Sequence, residues 1–114
     1  MGRILVVNSD VDTMSLLQTW LERKNHEVIY TAHVEQVPQI VKKFNPDVVL
    51  VDVMQGTVAE KLKTDEETRE IPIVLMTGHT LPKKTPVIDK ADDVIEKPFN
   101  LSLLEQKINR FISG

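Results

Sequence analysis

The sequence has no cysteine, no long apolar run and no dense basic stripe, and each absence excludes a class of protein. Without cysteine there is no disulfide framework, no thiolate nucleophile and no thiolate metal site. No stretch approaches the ~20 apolar residues of a membrane-spanning helix. Residues 1–4 lead directly into an apolar run and lack the hydrophobic region of a signal peptide. We therefore expect a soluble, cytoplasmic protein with no membrane partner.

The charge and the length of the chain bear on nucleic-acid binding and on the number of domains. The chain has 14 basic and 17 acidic side chains and a formal net charge of -3. Nucleic-acid-binding domains usually present a basic patch, so direct nucleic-acid binding is not expected. The 114 residues, 41% of them hydrophobic, are enough for one domain with one core. We predict a single domain over residues 1–114.

Short apolar runs alternate with helical patterns along the chain. The runs at residues 4–7, 48–51 and 73–76 are continuous, which is typical of parallel strands buried on both faces. Residues 28–30 and 94–96 complete a set of five strands. Because helical patterns separate the strands, we predict an α/β fold with right-handed crossovers.

Capping residues and prolines set the expected helix bounds. Asp10 or Asp12 is expected to cap the first helix, and Asn100 the last. Pro38 lacks an amide N–H, so the second helix either begins near it or bends there. The two prolines between residues 80 and 86 leave room for only a short fourth helix. After the first helix, the expected helices cover residues 34–44, 58–64, 87–91 and 101–111.

The common arrangement of five such strands at this length is the flavodoxin-like order 2-1-3-4-5, with helices on both faces in a three-layer sandwich. Helices three and four are short in this prediction. The switch point of the fold lies between strands one and three, at the carboxyl ends of the strands. Residues 8–10 are therefore expected beside Asp52.

Three of the expected strands end in a side chain with reactive chemistry, Asp52, Thr77 and Lys97. A carboxylate, a hydroxyl and an ammonium at one sheet edge suit phosphoryl transfer to the carboxylate, because the other two groups can hold the phosphoryl oxygens. Structural alternatives stay open. In these alternatives, Asp52 only caps a turn or pairs with Lys97, and Thr77 only ends a strand.

A Mg²⁺ site is expected at the same edge, because Mg²⁺ prefers oxygen ligands and offsets the charge of a phosphoryl group. The candidate ligands are Asp52, Asp10, Asp12 and the backbone carbonyl of Met54. Capping of the first helix is the alternative role for Asp10 and Asp12. One residue is expected to do only one of these two tasks.

Four segments together resemble the receiver domain of two-component response regulators: residues 4–10, 46–54, 71–78 and 92–99. The resemblance covers nearly the whole chain and implies the CheY-like form of the fold described above. It also implies a signalling domain rather than an enzyme, with at most self-phosphotransfer and autodephosphorylation.

By this resemblance Asp52 is the phosphoacceptor, Thr77 the switch hydroxyl and Lys97 the phosphate-binding lysine. The family takes its phosphoryl group from a phosphohistidine on a histidine kinase or phosphotransfer protein, with Mg²⁺ as cofactor. Phosphorylation then shifts a two-state equilibrium that a downstream partner or output domain reads.

The sequence departs from the family's pattern at three positions. The adjacent acidic pair after the first strand falls on Asn8 and Ser9, with Ser9 in the place of a direct metal ligand. Mg²⁺ is therefore expected to bind weakly unless Asp10 compensates. The aromatic residue of the fifth strand falls on Val94, which has no ring to move into space vacated by Thr77.

Two other functions compete with that of a phosphorylated receiver. The departures favour a pseudo-receiver, which would act as a phosphorylation-independent protein-interaction module. The complete set of Asp52, Thr77 and Lys97 favours phosphorylation. A small flavodoxin-like nucleotide or flavin enzyme is disfavoured, because residues 8–11 contain no glycine and carry negative charge where a phosphate-binding loop would lie.

Overall fold

The structure, a computed structural model, describes residues 2–52, 57–77, 91–96 and 100–112. Five parallel strands form one sheet in the order β2-β1-β3-β4-β5, which confirms the predicted topology. The strands are β1 (Arg3–Val7), β2 (Glu27–Thr31), β3 (Val48–Asp52), β4 (Ile73–Thr77) and β5 (Asp93–Glu96).

Four α-helices lie within the described residues. They are α1 (Val11–Arg23), α2 (Val37–Phe44), α3 (Thr57–Thr64) and α4 (Leu101–Asn109). The longest of them, α1, has 13 residues, and no helix in the described part of the chain could span a lipid bilayer. The short helix expected at residues 87–91 falls largely outside the described residues.

The second helix begins where its proline allows it to. Residues 34–36 form a single 3₁₀ turn, and α2 starts at Val37 with Pro38 in its first turn. A proline is tolerated there because the first amide groups of a helix have no intrahelical partner. Asn45 ends the helix in the left-handed conformation, with φ of 52°. Of the two alternatives predicted for this helix, a start near Pro38 and a bend there, the structure has the start near Pro38, and residues 34–36, expected in the helix, form a separate turn.

Alternating side chains of the central strands divide the core into two layers. The α1/α4 layer packs one face of the sheet against α1 and α4, and the α2/α3 layer packs the other face against α2 and α3. The buried members of the α1/α4 layer are Ile4, Val6, Met14, Leu17, Leu21, Val28, Val48, Leu50, Val74, Met76, Ile95, Leu104 and Ile108. Those of the α2/α3 layer are Leu5, Val7, Val37, Val41, Val49, Val51, Val58, Ala59, Leu62, Ile73 and Leu75.

Candidate functional site

Asp52 and Thr77 end neighbouring strands, and both are buried. Asp52 closes β3 level with Met76, so Thr77 closes β4 one residue further on. Only 5% of Asp52 and 4% of Thr77 is exposed. Both residues lie at the carboxyl edge of the sheet, where an open α/β fold places its ligands.

Lys97 and Met54, two further predicted members of the site, lie outside the described residues. Lys97 directly follows Glu96, the last described residue of β5, which is level with Thr77. The approach of the Lys97 ammonium to Asp52 and the role of the Met54 carbonyl therefore stay predictions.

Strand alternation turns Asp52 and Thr77 toward opposite faces of the sheet. Asp52 is two residues after Leu50, which packs in the α1/α4 layer, and Thr77 is two residues after Leu75, which packs in the α2/α3 layer. Successive side chains of a strand point to opposite faces. A group that contacts both the carboxylate and the hydroxyl must therefore sit beyond the strand ends.

Asn8 completes the edge beside Asp52. It directly follows Val7, the last residue of β1, whose register partner on β3 is Val51, so Asn8 lies beside Asp52 at the carboxyl edge of the sheet. Only 1% of Asn8 is exposed. Its side-chain Oδ1 accepts a hydrogen bond from the backbone N–H of Asp10 at 2.8 Å. The amide is thereby held in one orientation, with Nδ2 on its other side.

Asp10 caps α1, which resolves the choice between the two candidate caps. Its Oδ1 accepts the backbone N–H of Asp12 at 3.1 Å, and its Oδ2 accepts the hydroxyl of Thr13 at 2.7 Å. The positive end of the helix dipole adjoins this carboxylate and favours its charge. Asp12 is exposed in the first turn of the helix. The metal-binding role predicted for Asp10 has less support, because its carboxylate already serves the helix.

The described residues fit a Mg²⁺ site poorly. They contain no group of three or more His, Asp or Glu side chains that could hold a metal ion. At the carboxyl edge, Asp52 offers a carboxylate and the exposed Ser9 a neutral hydroxyl. Asn8 points its oxygen at the Asp10 N–H instead. Because Mg²⁺ favours several anionic or carbonyl oxygens, these side chains alone would hold it weakly.

The buried amide of Asn8 is the feature of this edge that sequence reasoning missed. From the sequence, Asn8 counts only as a lost negative charge. In the structure its Nδ2 is buried and has no hydrogen-bond partner among the described residues. The sequence shows only that an asparagine follows a buried strand two residues before a helix cap, and this position alone does not predict an orphaned donor.

The family follows from comparison with known proteins. A family model of the response regulator receiver domain matches residues 4–109. The chain belongs to this family. As a receiver domain it is a signalling domain rather than a classical enzyme. Receiver domains pair with histidine kinases and output domains and typically bind Mg²⁺ in the active site.

Two curated relatives from Pseudomonas aeruginosa illustrate the range of the family. The receiver domain is 30% identical to protein PilH, and the match covers 100% of both chains. It is 31% identical to the phosphate regulon transcriptional regulatory protein PhoB over 85% of this chain and 45% of that protein. The chain thus spans about half the length of several curated relatives that it matches.

A solved structure has the same fold. The receiver domain of the sensor histidine kinase PA1611 from Pseudomonas aeruginosa superposes with a TM-score of 0.86 at 21% identity, and the match covers 99% of this chain and 98% of that one. That structure has a magnesium ion coordinated in its active-site cleft.

Proposed function

We propose that this receiver domain accepts a phosphoryl group on Asp52 from a phosphohistidine of a histidine kinase or phosphotransfer protein. The observation that carries the proposal is a carboxylate only 5% exposed at the end of β3, at the switch point of the sheet, with Thr77 ending the next strand. The phosphorylated state is then read by a downstream partner or output domain.

The reaction requires a nucleophile and groups that hold the transferred oxygens. An oxygen of Asp52 forms a bond to phosphorus while the bond from phosphorus to the imidazole nitrogen of the donor breaks. The departing imidazole takes a proton from solvent. The protein's contribution is positioning and electrostatic stabilisation, for which we assign the Thr77 hydroxyl and, from the family resemblance, the Lys97 ammonium.

The conformational change that follows phosphorylation involves a small side chain on β5, that of Val94. Val94 is level with Leu75 of β4 and packs, half-buried, against the α2/α3 layer. Thr77 turns toward that same layer. When its hydroxyl engages a phosphoryl oxygen, only an aliphatic side chain is available on β5 to fill the space. We therefore expect a smaller rearrangement than a large ring would give.

We expect Mg²⁺ to assist this site but to bind it weakly, with Asp52, the Ser9 hydroxyl and the Met54 carbonyl as its ligands. When bound, the ion supplies positive charge near the phosphoryl oxygens. The poor fit of the described side chains is the reason for the expected weak affinity.

The identity of the downstream partner belongs to the same proposal. PhoB is a transcriptional regulator by name, but the match covers only 45% of it, so DNA regulation is not carried over to this domain. We expect the phosphorylated domain to act through protein contacts, without direct nucleic-acid or membrane binding. A cytoplasmic location, which the sequence predicts, stays a prediction.

Phosphorylation is tested with a small phosphodonor such as acetyl phosphate and Mg²⁺, followed by intact-mass spectrometry. We expect one base-labile phosphate on the parent and none on Asp52→Asn. Asp65→Asn, in the turn after α3, is a matched control and should keep the adduct. An adduct that persists on Asp52→Asn would contradict the assignment. A parent without any adduct, and without amide shifts on adding beryllofluoride, would support the phosphorylation-independent interaction module.

A further inference from the structure

The side chain of Asn8 carries a buried hydrogen-bond donor that meets no acceptor among the described residues. Its Oδ1 is engaged by the Asp10 N–H at 2.8 Å, whereas Nδ2 is buried with no hydrogen-bond partner among the described residues. Buried polar groups are nearly always hydrogen-bonded. An orphaned donor in a side chain only 1% exposed therefore indicates a partner that arrives with a ligand.

The position of the donor indicates which ligand this is. Asn8 is two residues after Val6, and Asp52 is two residues after Leu50; both Val6 and Leu50 pack in the α1/α4 layer. Because Asn8 directly follows β1, continued alternation places its side chain on the same face of the sheet as that of Asp52. Neighbouring strands lie about 4.8 Å apart. On this face of the sheet, a group attached to Asp52 lies beside the Asn8 amide.

We infer that Asn8 donates its Nδ2–H to an oxygen of the phosphoryl group on Asp52, so that this receiver binds the anion with less dependence on Mg²⁺. The inference rests on the proposed phosphorylation of Asp52. An amide N–H presents partial positive charge, which attracts a phosphoryl oxygen and opposes a nearby cation. Asn8 thus takes over part of the charge stabilisation that a divalent ion would supply.

Asn8→Asp removes the donor and adds a negative charge at the same place. Aspartate keeps an oxygen for the Asp10 N–H but replaces the N–H donor with a second acceptor. We expect Asn8→Asp to bind Mg²⁺ more tightly than the parent does. We also expect Mg²⁺, from chelator to saturation, to raise the beryllofluoride affinity of Asn8→Asp by a factor at least about tenfold larger than in the parent, because a hydrogen bond to a charged group changes affinity by about tenfold or more. The measurement is a beryllofluoride titration, followed by amide NMR shifts and by thermal unfolding, at Mg²⁺ concentrations from chelator to saturation.

Asn8→Ala removes both polar atoms and provides the second arm. At saturating Mg²⁺ it should bind beryllofluoride about tenfold more weakly than the parent. Asn109→Asp, at the end of α4, makes the same change of charge away from the site and should match the parent. Circular dichroism of each variant excludes loss of folding as the cause of a weaker titration.

The outcomes separate this inference from the proposed function. If the parent, Asn8→Ala and Asn8→Asp bind beryllofluoride with the same affinity and the same Mg²⁺ dependence, the amide has no role and the inference is wrong. In that case a phosphate adduct that is lost in Asp52→Asn would leave the proposed function intact. If the parent forms no adduct and binds no beryllofluoride at saturating Mg²⁺, both fail.

Discussion

The carboxyl edge carries two neutral side chains, Asn8 and Ser9, immediately before the cap of α1. Asn8 is buried and directs its oxygen to the Asp10 N–H, and Ser9 is exposed. Asp10, the nearest acid in sequence, uses both carboxylate oxygens in the cap. The negative charge at the edge therefore rests mainly with Asp52, so a divalent cation is attracted less than it would be by an acidic cluster.

Restoring one acid at the edge should strengthen Mg²⁺ binding. We expect Ser9→Asp to lower the dissociation constant for Mg²⁺ by at least about fivefold, because a unit negative charge a few ångströms from the ion contributes about 1 kcal/mol even in a water-like medium. Ser9→Asn is the matched control, since it adds a neutral side chain of similar size and should bind Mg²⁺ as the parent does. A Mg²⁺ titration followed by amide NMR shifts gives the comparison, and equal affinities for the two variants would contradict the expectation.

Single residues also set how far the site is predictable from sequence. The chemistry of Asp52 and Thr77 is evident from their places at the ends of apolar runs. Their opposite orientations and the orphaned Nδ2 of Asn8 are not, because side-chain direction depends on the exact strand register. That register is set by pairing with segments distant in sequence.

At the scale of elements, one residue ties β5 to α4. Asp93 Oδ1 accepts a hydrogen bond from the Lys107 ammonium at 2.9 Å, and Oδ2 accepts one from the Arg110 guanidinium at 3.1 Å. Burial raises the pKa of Asp93, but hydrogen bonds from Lys107 and the Val94 N–H and the charges of Lys107 and Arg110 outweigh it, so the pKa lies below its usual value. The carboxylate therefore stabilises the folded state above the unfolded pKa of about 3.9, and this contribution is lost as the pH falls through the folded value.

Neutralising Asp93 should loosen the attachment of α4. We expect Asp93→Asn to lower the free energy of unfolding by about 1–3 kcal/mol, since the Asp93 side chain is only 16% exposed and the change leaves two cations without their partner. Glu70→Gln is the control: the Glu70 side chain is 92% exposed in its pair with Arg69, and such surface pairs contribute about 0–1 kcal/mol. Urea unfolding at neutral pH measures both, and equal stabilities for the two variants would contradict the assigned role of Asp93.

Helix bounds are predictable from sequence where one residue decides them. Asn100 caps α4 by accepting the N–H groups of Ser102 and Leu103 at 2.7 and 3.3 Å, and Pro38 fixes the start of α2. The start of α1 offers two acids two residues apart, and both satisfy the same local rule. Only the geometry of the chain leaving β1 selects the earlier one.

Across the whole molecule, the edge opposite the candidate site is held by a buried histidine. His26 Nδ1 accepts the backbone N–H of Gly2 at 3.1 Å, which requires an unprotonated ring nitrogen. Burial and the amino-terminal charge lower the pKa of His26, and the carboxylates of Glu105 and Asp47 oppose this only in part. The neutral imidazole is therefore the form that suits the fold.

This histidine should make folding stability depend on pH. Below about pH 6.5, the usual pKa of histidine, the unfolded chain binds a proton that the folded chain does not. Above that pH, His26 should therefore not reduce the free energy of unfolding. As the pH drops from there toward the lowered pKa of the folded state, the free energy of unfolding should fall by at most about 1.4 kcal/mol per pH unit.

Denaturant unfolding between pH 5 and 8 measures this dependence. We expect His26→Asn, which keeps an acceptor near the place of Nδ1 and does not titrate, to flatten the profile in that window. His33→Asn is the control, because the His33 side chain is 67% exposed, and it should keep the parent's profile. A profile unchanged by His26→Asn would contradict the assignment.

The sequence by itself determined the order and type of the described strands and α-helices, the five-stranded topology and the residues that end β3 and β4. These follow from local rules: continuous apolar runs form buried strands, caps and prolines bound helices, and alternating β and α elements build a parallel sheet. Tertiary structure alone decided that Asp10 caps α1 and that Asp52 and Thr77 face opposite layers. It also decided that the Asn8 amide is buried beside Asp52, with no hydrogen-bond partner for its Nδ2–H among the described residues. Burial and hydrogen-bond partners depend on which distant segments pack together, and no local pattern in the chain specifies that.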